Sequence, residues 1–243
     1  MSSTTLAQDV RDFFTSPFVD ALRGLDQVLA GGAKRLIATG LGLLAGWWLY
    51  VPVHELLHAA GCAATGGEVH RLEIAPLYGG AALAKFLPFV SAGGEYAGRL
   101  SGFDTQGSDL TYLATDFAPF ILTLFPGVWL LRRAARAEQA WLFGVALPLA
   151  LAPIVSLTGD AYEIGSIVVT HLAPWRAATD LRGDDLFVLV RTVLANPSTF
   201  SWLGLALSQL VGLIWALATC GLGSWIASRL GQRRLPQTFS ATS

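Results

Sequence analysis

The sequence predicts an all-α integral membrane protein with about four transmembrane helices, a small β-hairpin or re-entrant loop after the first, and an N-terminal interfacial helix. Composition is the first reason, because 53% of the 243 residues are hydrophobic and only 14% are charged, against about 25% charged in soluble domains. The second reason is four long apolar stretches, at about 36–62, 112–131, 140–158 and 202–227. The net charge of −1 argues against a nucleic-acid partner, since no basic surface is present to neutralise phosphates.

Residues 1–35 are predicted to form the amphipathic N-terminal helix. Apolar side chains recur at helical spacing over 6–14. Ser16-Pro17 is typical of a helix start, and Gly31-Gly32 is typical of a stop. Two arrangements fit this segment: a helix lying on the membrane surface, which we favour, and a helix packed on the membrane domain.

The first span contains the residues from which a function can be inferred. No charged side chain occurs over 36–53, and the stretch His54-Glu55-Leu56-Leu57-His58 follows directly. Ionisable groups at membrane depth are costly and usually functional. Side chains four residues apart on a helix share one face, so both imidazoles can bind one Zn²⁺ with Glu55 beside it as general base. Gly42 and Gly46 in the same span permit close packing of a neighbouring helix.

The segment 63–111 is too rich in glycine and turns to be a span. Residues 68–74 alternate in polarity as a short strand does, and a second, more apolar run at 81–90 follows the turn at Gly79-Gly80. We expect a small hairpin or re-entrant loop beside the first span. Its backbone has to be buried in protein or line a wet cavity if it lies at membrane depth.

Basic residues predict the orientation of the spans. They precede the first span and follow the second and fourth: Lys34, Arg35, Arg132, Arg133, Arg136, Arg229, Arg233 and Arg234. The positive-inside rule then places both termini in the cytoplasm. The expected domain organisation is a membrane-embedded domain at 36–229, with a polar, partly helical segment at 175–200 outside the bilayer, and a cytoplasmic tail at 230–243. His54 and Asp160 both fall at the span ends that face the outer side.

A third ligand is needed besides the two histidines, because a catalytic zinc ion usually has three protein ligands and one open position. Asp160 is the first candidate, since it follows a long apolar run and Gly159 before it leaves room for close approach. Glu163 is the backup, because it would share a helical face with Asp160. Three other residues stay open. His70 and His171 are weaker candidates for the third ligand. Asp116 could support the site or pair with an arginine.

These residues resemble a known family. The stretch at 54–58, the glycine-rich strand-like loop after it and Asp160 after a later apolar run resemble the site-2 protease family of zinc intramembrane metalloproteases, as a divergent member. The resemblance covers about 36–167. It implies a three-helix catalytic core in which His54, His58 and Asp160 bind zinc and Glu55 is the base. It also implies that the loop at 68–90 is a membrane-associated β-segment whose strand edge pairs with an unwound substrate.

The predicted function is that of a zinc-dependent intramembrane endopeptidase acting on a transmembrane protein substrate. We expect it in the lipid bilayer of a bacterial inner or cell membrane, with any regulation coming from a membrane partner. Two alternatives stay open. One is a protease resembling the prenyl-protein proteases, with Glu163 as third ligand. The other is a non-enzymatic membrane metal-binding, transport or scaffold protein. The sequence identifies no group that would stabilise an oxyanion.

Overall fold

The computed structural model describes residues 3–172, 186 and 202–232. The described part is mostly helical and contains one three-stranded sheet. Four helical runs are long and apolar enough to cross a membrane, as predicted: Gly32–Ala64, Asp109–Arg136, Ala140–Leu172 and Trp202–Leu230. Apart from residue 186, the predicted segment at 175–200 lies outside the described residues, as does most of the predicted tail at 230–243.

The elements follow one another along the chain as α1 (Ser3–Ala30), α2 (Gly32–Ala64), β1 (Glu68–Ile74), α3 (Gly80–Leu83), β2 (Val90–Ala92), β3 (Gly98–Asp104), α4 (Asp109–Phe117), α5 (Val128–Arg136), α6 (Ala140–Val155), α7 (Asp160–Leu172) and α8 (Trp202–Gln232). Helices α2, α4, α6 and α7 pack around the predicted ligands, and α8 packs against α7. The sheet lies between α2 and α4 along the chain.

Helix α1 runs unbroken through Ser16 and Pro17, so the predicted helix start there is wrong. A proline inside a helix removes one backbone hydrogen bond. Tertiary contacts hold the helix together at this point, because Pro17 is buried and the Ser16 hydroxyl is hydrogen-bonded to Ser224 of α8. The predicted stop is present: α1 ends at Ala30, and Gly32 has a φ of +71°, which favours glycine. The structure packs α1 against α5 and α8.

Helix α2 carries the histidine pair, and α6 packs along it. The predicted close packing of the two glycines is confirmed. A Cβ on Gly42 would lie 2.2 Å from the carbonyl oxygen of Trp141, and a Cβ on Gly46 would lie 2.6 Å from that of Val145. Only hydrogen fits at these positions, so the two backbones approach closely. The matching order of the contacts shows that α2 and α6 run in the same direction, and α6 therefore leads the chain towards the level of the histidines.

The second apolar run is not one regular helix. Between α4 and α5 it contains a 3-10 turn, Ala118–Phe120, and an irregular segment, Thr123–Gly127. Phe125 has an extended backbone, with φ −161° and ψ 130°. The residue before a proline is disfavoured in the α-helical region, and Pro126 follows. The break leaves the Phe125 side chain 50% exposed on the surface of the helix bundle.

The third apolar run extends past its predicted end. We expected it to finish at 158 with Asp160 beyond it, but α6 ends at Val155 and α7 begins at Asp160 and continues to Leu172. Helix α7 packs closely against α8, since a Cβ on Gly165 would lie 2.0 Å from the carbonyl oxygen of Ser208. Asp160 therefore lies at a break inside a long helical run and not at its end.

The segment 63–111 forms a three-stranded sheet and not the predicted hairpin. Strand β1 matches the predicted strand at 68–74, but the predicted second run at 81–90 contains the short helix α3. Strand β1 is central, parallel to β2 and antiparallel to β3. Two parallel strands cannot be joined by a tight turn, and the connection between β1 and β2 lies against α2. There the Trp48 indole N–H donates to the Leu77 carbonyl at 2.6 Å.

The described basic residues in the last turns of α5 and α8 and at the start of α2 lie at one end of the molecule. Arg35 pairs with Glu138 at 2.9 Å, and Arg132 contacts Ser228 of α8 at 2.7 Å. We term this the basic end, defined by Arg35, Arg132, Arg133, Arg136 and Arg229. Arg233 and Arg234 lie outside the described residues. The orientation of this end in a membrane stays a prediction.

Candidate metal centre

Helix α2 and the first residue of α7 bring three potential metal ligands together. The Nε2 atoms of His54 and His58 are 3.0 Å apart. His54 Nε2 lies 3.4 Å from Asp160 Oδ2, and His58 Nε2 lies 3.5 Å from Asp160 Oδ1. Bonds of about 2.0–2.1 Å to one tetrahedral ion place neighbouring ligand atoms about 3.3 Å apart. These three residues, which we term the ligand group, could therefore hold a metal ion.

The Nδ1 atom of each histidine has a hydrogen-bond partner, and this contact orients Nε2 towards the other two residues of the ligand group. His58 Nδ1 lies 2.8 Å from the backbone carbonyl oxygen of Thr115. A carbonyl oxygen only accepts hydrogen bonds, so Nδ1 carries the proton and the Nε2 of the neutral ring keeps its lone pair for a metal. His54 Nδ1 lies 2.6 Å from the Tyr50 hydroxyl, which can accept in the same way. Both rings are thus held in a ligating orientation.

The Asp160 carboxylate also fits a cation. Apart from the approach of His54, its buried Oδ2 has no hydrogen-bond partner among the described residues. Leaving a buried carboxylate oxygen unsatisfied is unfavourable, and a bound cation removes that cost. Two imidazoles and one carboxylate are also a ligand set that catalytic zinc sites use.

Glu55 lines the same cavity as the three potential metal ligands. This cavity has a volume of about 160 Å³ and lies between α2, β3, α4 and α7. Glu55 is 8% exposed. The arrangement places a buried carboxylate beside a group that could hold a metal ion. A cavity of this size has room for water, which a hydrolytic reaction consumes.

The other candidates from the sequence do not join the ligand group. Glu163 and Asp116 line the cavity, but among the described residues the compact group of possible ligand atoms contains neither of them. Asp116 is buried, and one of its oxygens has no hydrogen-bond partner within the described ranges. His70 and His171 are exposed and lie next to acidic residues away from this cavity.

Sequence reasoning missed three residues that shape the site. Tyr50 lies four residues before His54, about one helical turn, so the sequence already indicated that the two side chains share a helix face. Thr115 orients His58 through its backbone carbonyl, and a backbone contact of this kind leaves no pattern of side chains in the sequence. Gly98 begins β3 directly against Glu55, where a Cβ would lie 2.3 Å from Glu55 Cγ. Only glycine allows the strand to approach Glu55 this closely.

Replacing Gly98 by Ala is expected to lower the free energy of unfolding by about 1–3 kcal/mol, because the added methyl group overpacks a buried contact. Thermal or denaturant unfolding in detergent measures the effect. Gly40→Ala on α2 is the matched control, since a Cβ there meets nothing within 4 Å. It should be neutral or slightly stabilising. Equal stability of the two variants would contradict the contact between Gly98 and Glu55.

A wider and mostly apolar groove adjoins the polar cavity. Its volume is about 370 Å³, and it shares His54, Glu55, Gly98 and Asp160 with that cavity. It extends along α2 and α6, where apolar side chains form its walls: Trp47, Val51, Pro148, Ala152 and Val155. The ligand group is therefore reached both from a polar cavity and from an apolar groove.

Comparison with family models, with curated proteins and with solved structures finds no match for this chain. The resemblance to the site-2 protease family stays a prediction from the residues at 54–58, 68–90 and 160. The described residues establish a group of two histidines and one carboxylate that could hold a metal ion. They also establish four helical runs that could cross a membrane by length and composition.

Proposed function

We propose that this chain is a zinc-dependent intramembrane endopeptidase that cleaves membrane-protein substrates. The observation that carries the proposal is the close grouping of His54 Nε2, His58 Nε2 and the Asp160 carboxylate, with Glu55 on the same cavity. A metal-dependent hydrolase needs three protein ligands, an open coordination position and a carboxylate base. All the protein groups for this chemistry are present.

Zinc is the metal that this set of ligands favours. Magnesium and calcium prefer oxygen ligands, and two of the three donors here are imidazole nitrogens. Two histidines and a carboxylate also serve non-haem iron. The glutamate that directly follows the first histidine on the same helix favours a zinc hydrolase, since that spacing supplies the general base.

Different residues of the cavity carry out different steps of the proposed hydrolysis. His54, His58 and Asp160 would hold the zinc ion, which would supply Lewis acidity to activate water and to polarise the scissile carbonyl. A Glu55 carboxylate oxygen accepts the proton of the attacking water and passes it to the leaving amine nitrogen as the C–N bond breaks. Arg99 and Tyr112 line the cavity and carry N–H and O–H groups that can donate to the developing oxyanion.

The apolar groove and strand β3 are the proposed substrate-binding elements. A helical substrate segment fits an apolar groove, but its carbonyls become accessible only when it unwinds. The resemblance placed the pairing edge in the loop at 68–90. We propose β3 instead, because β1 is central and β3 pairs within the described sheet with β1 alone. Gly98, Arg99 and Leu100 of β3 line the polar cavity.

The proposed orientation in the membrane follows from the position of the basic residues. The basic end belongs in the cytoplasm by the positive-inside rule. His54 and His58 lie in the second half of α2, away from Arg35 at its start. The ligand group would then lie towards the outer half of the bilayer, which shortens the path for water.

Zinc content and peptide cleavage, measured on the same purified samples, test the proposal. We expect about one zinc per chain and cleavage of reconstituted single-span membrane proteins, read as new N-termini by mass spectrometry. Asp160→Ala is expected to weaken zinc binding by at least about 100-fold and to abolish cleavage. The reason is that even outer-shell partners of a metal are worth 10–100-fold in affinity.

Glu163→Ala is the matched control, since it removes a carboxylate from the same helix and the same cavity. It is expected to keep its zinc. Loss of zinc in this variant alone would favour a protease that resembles the prenyl-protein proteases. Zinc binding without cleavage of any substrate in the panel would favour the non-enzymatic alternative.

A further inference from the structure

A second cavity lies at the basic end of the molecule, away from the ligand group. Its volume is about 510 Å³. Helix α5, the irregular segment before it and helix α8 form its mostly apolar walls: Phe125, Trp129, Ala227 and Leu230. Three arginines of α5 line it as well: Arg132, Arg133 and Arg136. The cavity thus joins an apolar cleft to a cluster of three cationic side chains.

Aromatic and cationic side chains follow one another along the α5 wall. The Phe125 and Trp129 rings have centroids 5.9 Å apart, and the Arg133 guanidinium carbon lies 5.6 Å from the Trp129 centroid. Helix α8 repeats this pairing, with Arg229 lying 5.1 Å from the centroid of Trp225. Tryptophan rings with arginines one turn beyond them are typical of the level where acyl chains meet headgroups.

Two of the three arginines that line this cavity have no acidic partner in the described part of the chain. The third, Arg132, also lines the cavity but is paired with the buried Asp20 at 2.7 Å. Arg133 and Arg136 have no acidic group within ion-pair distance among residues 3–172 and 202–232, and the cavity lining contains no acidic residue. Two positive charges beside an apolar cleft favour a ligand that is both anionic and apolar.

We propose that this cavity binds one anionic phospholipid. The phosphate lies against Arg133 and Arg136, and the upper part of an acyl chain lies along Phe125, Trp129 and Leu230. The volume falls in the range of about 300–1,000 Å³ that small-molecule sites occupy. A free phosphate ion would use the arginines but leave the apolar walls uncovered. The site goes beyond the proposed protease activity and shares no residue with the ligand group.

Lipid binding to the purified protein in detergent tests the inference. Phosphatidylglycerol and phosphatidylcholine with identical acyl chains are added in turn, and bound lipid is counted by native mass spectrometry. Native protein is expected to retain phosphatidylglycerol in preference to phosphatidylcholine. The double variant Arg133→Gln/Arg136→Gln is expected to lose about thirtyfold in that preference, since each basic residue near an anionic headgroup contributes about fivefold.

Three controls make the result decisive. Arg229→Gln removes an exposed arginine that also lies over a tryptophan but does not line the cavity, and it should keep the preference. Arg133→Lys/Arg136→Lys keeps the charge and should keep most of it. Arg136→Gln alone is expected to lose about fivefold. This single change at an exposed position gives a readout even if the double glutamine variant fails to fold.

Equal retention of the two lipids by native protein would overturn the inference, as would an equal loss of preference in Arg229→Gln. Displacement of the lipid by millimolar inorganic phosphate would also overturn it, because the site would then recognise a free anion. Retained lipid at that phosphate concentration supports the phospholipid as the occupant.

Discussion

A Glu55→Gln variant is expected to cleave its substrate about 10²–10⁴-fold more slowly than native protein while retaining its zinc. Glutamine keeps the size and much of the hydrogen bonding of glutamate, but it cannot hold the proton taken from the attacking water. Glu55 lines the cavity with His54, His58 and Asp160. Cleavage under single-turnover conditions and zinc content of the same sample give the two readouts.

Glu163→Gln provides the matched control for this experiment, because it makes the same chemical change to another carboxylate on that cavity. It should cleave at nearly the native rate. Native cleavage by Glu55→Gln would remove Glu55 as the base. Loss of zinc in Glu55→Gln would show that this residue supports the metal site and would leave its part in proton transfer unsupported.

Breaking the buried ion pair between Asp20 and Arg132 is expected to have the largest effect on stability. Asp20 is 5% exposed and Arg132 is 9% exposed, and Arg132 Nε donates to Asp20 Oδ2 at 2.7 Å. Arg132 also donates to the carbonyl of Ser224 and to the hydroxyl of Ser228. Arg132→Met should lower the free energy of unfolding by about 3–5 kcal/mol, because the buried Asp20 would lose its short ion pair and keep only the 3.9 Å approach of the exposed Arg23.

Arg133→Met on the same helix is the control for this prediction. Arg133 is exposed and lies over Trp129, so its replacement should change the free energy of unfolding by no more than about 0.5 kcal/mol. The double variant Asp20→Asn/Arg132→Met should lose less than the sum of its two single changes, since no unpaired charge then remains. Additive losses would show that the two side chains do not depend on each other.

This ion pair also explains why the position of α1 was hard to predict. The apolar spacing of α1 fits a surface helix as well as a packed helix. The contact that joins α1 to α5 lies between residues more than one hundred positions apart in the chain. No local pattern around Asp20 identifies Arg132 as its partner.

Features that depend on neighbouring residues could be predicted from the sequence. The four apolar runs follow from local hydropathy, and strand β1 follows from its alternation. That His54 and His58 point to the same side of the helix follows from helical geometry alone, because residues four apart share one face in any helix. The errors arose where proline and glycine allowed two outcomes. Pro17 is held inside a helix by packing, whereas Pro126 follows an extended residue.

The sequence by itself determined the chemical candidates: an imidazole pair, a glutamate beside it and two acidic residues that could complete the group. Only the tertiary structure decided between Asp160 and Glu163 as members of that group. The break before α7 places Asp160 against α2, and Glu163 lies one turn further on. Tyr50, Thr115 and Gly98 acquire their roles in the same way. Spacing along a helix is a local property, whereas the meeting of two helices and a strand depends on how the whole chain packs.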